Sequence, residues 1–129
     1  TQSQPQWGKM SLPQMLEHCS IQLKIALGLI ASSKSEGSVL FRTSIGRWMA
    51  LYALPWSKNL KTPGKMNMET NGALTESFEK EKEQLLHLLS LVQNKENFSS
   101  HPFFGTMNKK DWGRLIWKHL DHHLRQFNK

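Results

Sequence analysis

Two histidines spaced four apart near the C-terminal end, His119 and His123, constrain this chain more than any other feature. On an α-helix that spacing stacks two imidazoles on one face. At roughly 100° per residue, with His119 at zero, an apolar stripe of Leu115, Trp112, Ile116 and Phe127 runs from about −40° to 80°, and His123 falls at about 40°. Lys110, Arg114, Lys118, Asp121 and Arg125 occupy the opposite arc. The helix therefore turns two ionisable rings toward the interior, where each imidazole needs a partner. Backbone hydrogen bonds would satisfy them singly, whereas one divalent ion satisfies both. His122 falls at about −60°, the margin of the stripe, and is expected beside the site as a pocket or supporting residue.

The rest of the chain predicts the fold that must supply further ligands. At 129 residues it is one domain, 1–129, with a single core. Ser11-Leu12-Pro13-Gln14 has the form of a capping box, and the helix it starts is predicted to run to about Ile30. A second helix is predicted from Val39 to Leu54, ended by Pro55. A long loop, read as a crossover, then runs from Pro55 to Gly72. A third helix starts at Thr75 with Glu76 and Glu79 in its first turn, leaving His87 on its polar edge. The segment Asn94 to Met107 is a loop whose Phe103 and Phe104 are expected to plug one end of the fold, and Asn108 caps the last helix. With no strand pattern between helices, the fold class is all-α, an antiparallel four-helix bundle.

On the first helix His18 shares a face with Met15, Ile25 and Leu29, and Gln22 lies a turn beyond it as a candidate supporting residue. If the first and last helices run antiparallel, His18, His119 and His123 all sit about 10 Å from the same end of the bundle. Three inward histidines at one level make a facial three-nitrogen site that leaves coordination positions open.

Composition narrows the alternatives. The formal net charge of +7 comes from Lys and Arg spread along the chain. With no basic run longer than two and no nucleic-acid motif, it reads as a solvated surface and no nucleic-acid partner is expected. A single cysteine, Cys19, excludes an intramolecular disulfide and favours a reducing, cytoplasmic setting. Next to His18 on an apolar helix it reads as a packed thiol rather than a nucleophile. The longest apolar run, Ile25 to Ala31, falls far short of the roughly 20 residues of a membrane span.

The segments W-G-K-M-S-x-x-Q-M-L-x-H-C at Trp7 to Cys19, H-P-F-F-G at His101 to Gly105 and W-G-R-L-x-x-K-H-L-D-H-H-L-R-Q-F at Trp112 to Phe127 together resemble the DinB-like (DinB/YfiT-like) metalloprotein superfamily, in a bacterial branch with no assigned reaction. The resemblance implies a bundle in which His18, His119 and His123 bind a divalent metal ion, usually Zn or Ni, and His122 has no ligand counterpart. It also implies a low-molecular-weight thiol as co-substrate and frequent homodimers. Such bundles usually carry a helix ahead of the segment matching Trp7 to Cys19; here ten residues precede Ser11, so either the short second helix substitutes or a helix is missing.

Two functions follow as expectations. The first is a metal-dependent transferase of the thiol S-transferase type, or a hydrolase, acting on a small-molecule substrate; no general base is evident, with His122 and His101 as candidates at the pocket. The second is a non-enzymatic, stress-associated bundle whose metal only staples two helices. A basic adaptor for nucleic acid or anionic surfaces rests on net charge alone.

Overall fold

Capping chemistry marks where four helices begin. A computed structural model describes residues 3–30, 39–58 and 77–129. Helix α1 (Leu12–Ala26) opens on the capping box: Gln14 N–H donates to Ser11 Oγ at 3.4 Å and Ser11 N–H donates to Gln14 Oε1 at 2.8 Å. Helix α2 (Ser44–Trp48) is capped by Thr43 and runs into a single π turn, Met49–Ala53. Helix α3 (Phe78–Gln93) starts at Ser77, with Glu79 and Glu81 in its first turn. Helix α4 (Lys109–Gln126) starts at Asn108, whose Oδ1 accepts from Asp111 N–H at 2.8 Å. All helices and turns of regular structure among the described residues belong to this set and the 3-10 turn Val39–Arg42; the one β-bridge pairs His101 with Gly105. None of the described helices is long and apolar enough to cross a membrane.

Two expected helices are shorter than their patterns. The first stops at Ala26 rather than near Ile30, because Gly28 adopts a left-handed φ of 75°. The 94–108 loop docks there: Ser99 N–H donates to Ala26 O at 3.1 Å, and a Cβ on Gly28 would lie 2.9 Å from Ser99 Oγ. The expected continuous helix Val39–Leu54 is broken at Thr43, which is extended (ψ 153°) and caps α2. The chain doubles back so closely at this point that a Cβ on Gly46 would lie 2.0 Å from Leu40 O. The crossover from Pro55 to Gly72 and the helix start at Thr75 lie largely outside the described residues.

Packing then sets the level of the site. Helix α1 packs on both α3 and α4, burying Met15, Leu16, Leu23 and Ile25 with Leu85, Leu88, Trp112 and Leu115. Trp112 is fully enclosed, donates from Nε1 to Ser99 O at 3.2 Å and lies under Phe98. At the opposite end of α1, Gln6 N–H donates to Gln126 O at 2.7 Å, so the start of α1 and the end of α4 share one end of the molecule. The short second segment is held to α4 by cations: Arg114 Nε donates to Leu51 O at 2.8 Å, and Lys118 Nζ donates to Ala50 O at 2.8 Å and also to Leu54 O. These bonds occupy carbonyls left free at the end of a helix, the position where positive charge is favourable.

Candidate metal centre

His18 from the second turn of α1 and His119 and His123 from the last two turns of α4 meet in the interior, with 2, 6 and 6 % of their surfaces exposed. The Nε2 atoms of His18 and His119 are 2.7 Å apart, and those of His123 and His119 3.2 Å apart. The rings are not stacked. Their centroids are 4.7 to 4.8 Å apart and their planes cross at 60, 78 and 87°, so the rings converge edge-first on one point. One ligand atom from each lies within 4.8 Å of the others. Imidazoles about 2.0–2.1 Å from one zinc-like ion have nitrogens roughly 3.3 Å apart in tetrahedral geometry and about 2.9 Å apart at right angles, spacings of the same order.

The chemistry of the donors fits a cation. Burial, reinforced by the neighbouring histidines, drives the pKa of His119 well below its usual value and that of His123 down to about 3. Neutral imidazoles are the ligating form. For His123 the tautomer follows from its surroundings. Gln126 Nε2 donates to Trp7 O at 2.7 Å; a carbonyl only accepts, so the amide oxygen of Gln126 faces His123 Nδ1 at 2.8 Å. His123 Nδ1 therefore carries the proton, and its Nε2 presents a lone pair to the cluster. Without a cation, a single proton on His119 Nε2 could serve only one of its two neighbours, whereas an ion at the meeting point takes all three lone pairs. Three buried histidines could thus hold a metal ion, and among the described residues no fourth His, Cys, Asp or Glu joins the group.

The other residues singled out by sequence have other surroundings. His122 is half-buried outside the cluster, its ring 5.1 Å from that of His123, between Trp7 at 5.6 Å and Trp56 at 6.3 Å. Gln22 is buried on α1 but makes no hydrogen bond with the three rings among the described residues. His101 closes its own loop: its Nδ1 accepts from Phe103 N–H at 3.0 Å and Phe104 N–H at 3.2 Å, and its ring packs on Trp112. Burial lowers its pKa to about 4. Cys19 is buried beside Met15, its thiol pushed up to about 12, which leaves it no nucleophilic character at neutral pH. His87 is exposed on α3.

Sequence reasoning missed two contributors. Gln126 was detectable: it lies about −20° from His119 on the helical wheel, a polar side chain in the middle of the apolar stripe. Trp56, whose ring lies 6.3 Å from that of His119, follows Pro55 in a stretch without periodicity and carries no such signal.

The whole chain, residues 1–129, matches the sequence family described as protein of unknown function (DUF1569), and the protein belongs to that family. No curated protein and no solved structure matches it.

Proposed function

We propose that this DUF1569 protein is a DinB-like, antiparallel four-helix metalloprotein in which His18, His119 and His123 bind a divalent ion, zinc or nickel, and act on a small-molecule substrate. The observation that carries this reading is the convergence of three buried imidazoles on one point from α1 and α4. Three neutral ligands leave the full charge of a divalent ion uncompensated, which favours an anionic partner such as a thiolate or hydroxide at the remaining position. When bound, the ion would supply Lewis acidity, lowering the pKa of a thiol or water brought to it. The chain's own residues supply the frame: Gln126 holds His123, Trp56 lies against His119, His122 lies against His123, and Trp7 packs on His122.

A thiol S-transferase or a hydrolase is the reaction class this arrangement fits, with a low-molecular-weight thiol as co-substrate in the first case. A reducing, cytoplasmic setting in a bacterium suits a chain with one cysteine, and that cysteine buried. Homodimerisation through the exposed Ile45, Trp48 and Met49 of the second segment belongs to the same reading. The alternative is an ion that only staples α1 to α4; three protein ligands among the described residues, with no fourth, favour the open site.

Metal content of untagged protein tests the reading. One equivalent of divalent metal is expected in the parent and in His122→Ala, and none in His18→Ala, His119→Ala or His123→Ala. Retention of metal by His18→Ala with its loss in His122→Ala would place the site within α4 alone. Addition of a small thiol to cobalt-loaded protein then separates the two functions: a thiolate charge-transfer band is expected of the open site, and no spectral change of the staple.

A further inference from the structure

The bent segment before α1 reaches the metal centre through the Gln126 side chain, and we infer that Gln6–Gly8 forms a strap that acts as part of the site, setting the orientation and tautomer of His123 through Gln126. The inference rests on the reading that the three histidines bind metal. Three contacts with Gln126 carry it. Gln6 N–H donates to the Gln126 backbone carbonyl at 2.7 Å. The Trp7 carbonyl accepts from Gln126 Nε2 at 2.7 Å. Gly8, at a φ of 77°, passes so close that a Cβ there would lie 2.8 Å from that same Nε2.

The strap thus decides which end of the amide faces the histidine. While the Trp7 carbonyl holds the NH2 group, the oxygen must face His123 Nδ1, which keeps the proton on Nδ1 and the lone pair on Nε2. Released from the strap, the amide is free to rotate, and His123 loses both its fixed tautomer and one restraint on its ring. Partners that hold the second nitrogen of a metal-binding imidazole change metal affinity about 10- to 100-fold when removed. By linkage, whatever the docked strap adds to metal affinity, the metal adds to strap docking. Gln126 is accordingly a positioning residue, and Gly8 is a glycine because its φ of 77° strains any side chain and a Cβ there would also crowd the amide.

The test uses the full chain. Zinc affinity is measured by competition with a chromophoric chelator for the parent, Gln126→Leu, Gly8→Ala and the exposed-site control Lys9→Ala. The His123 tautomer is read in the metal-free proteins from long-range 1H–15N correlations. The parent is expected to show the Nδ1–H tautomer and Lys9→Ala to match it. Gln126→Leu and Gly8→Ala should each lose tenfold or more in affinity and show mixed tautomers. A parent that binds no zinc defeats the metal reading itself. A parent that binds zinc while either variant loses less than tenfold, or keeps the parent tautomer, overturns the strap. If Gln126→Leu does not fold, Gly8→Ala carries the same two readouts alone.

Discussion

Burial keeps His101, His119 and His123 neutral, and that neutrality gives the protein's stability a pH dependence. His123 and His101 titrate near 3 and 4 in the folded chain, and His119 well below its usual value, against about 6.5 in an unfolded one. Between those values the unfolded chain binds protons that the native state refuses, so stability falls as the pH falls. The contribution is complete above about pH 6.5 and drains away down to about pH 4 for His101 and about pH 3 for His123, at up to about 1.4 kcal/mol per pH unit for each group. For metal-free protein, a melting temperature level above pH 7 and declining steadily below pH 6.5 is expected; a level profile down to pH 5 would show that these rings are not buried neutral. The helical wheel already placed His18, His119 and His123 inward. The job of His101 was not visible, because its hydrogen bonds go to backbone N–H groups that the turn itself creates.

Helix α2 shows how an element follows from contacts rather than pattern. The apolar residues from Leu40 to Ala53 read as one amphipathic helix, yet Leu40, Ile45, Trp48 and Met49 are exposed and the helix starts only at Ser44. Thr43 caps it, Gly46 allows the fold-back over Leu40, and Arg114 and Lys118 of α4 bind the Leu51 and Ala50 carbonyls in the π turn that follows it. Those two cations, placed by periodicity on a solvated arc, are half-buried instead. Two glycines therefore respond oppositely to alanine. Gly46→Ala forces a Cβ against backbone and is expected to cost at least about 1–3 kcal/mol. Gly113→Ala, on α4 with nothing within 4 Å of the new Cβ, is expected to gain about 0.5–1 kcal/mol. Urea melts of the two variants check both signs, and a neutral Gly46→Ala would mean that the fold-back is not kept in solution.

For the molecule as a whole, the ion would join α1 to α4 across the core, so binding adds to global stability. At free metal a few hundred- to a thousandfold over its dissociation constant the gain is about 3–4 kcal/mol. Chelation of a metal-loaded sample should then lower the melting temperature by on the order of 10 °C; coincident melts with and without chelator would rule the coupling out. The starts of α1 and α4 and the His119–His123 pair were legible from short stretches of sequence, since caps and helical period depend on residues within a turn of each other. The all-helical class followed from those same local signals. His18 could be matched to His119 from the sequence only by taking α1 and α4 as antiparallel; what spacing could not deliver at all were the contacts of Gln126 with Trp7 across 119 positions and of the Ala50 and Leu51 carbonyls with Lys118 and Arg114. Each depends on which faces pack and at what register, and that is settled by burying all the apolar stripes at once, a property of the assembled core rather than of any one stretch of chain.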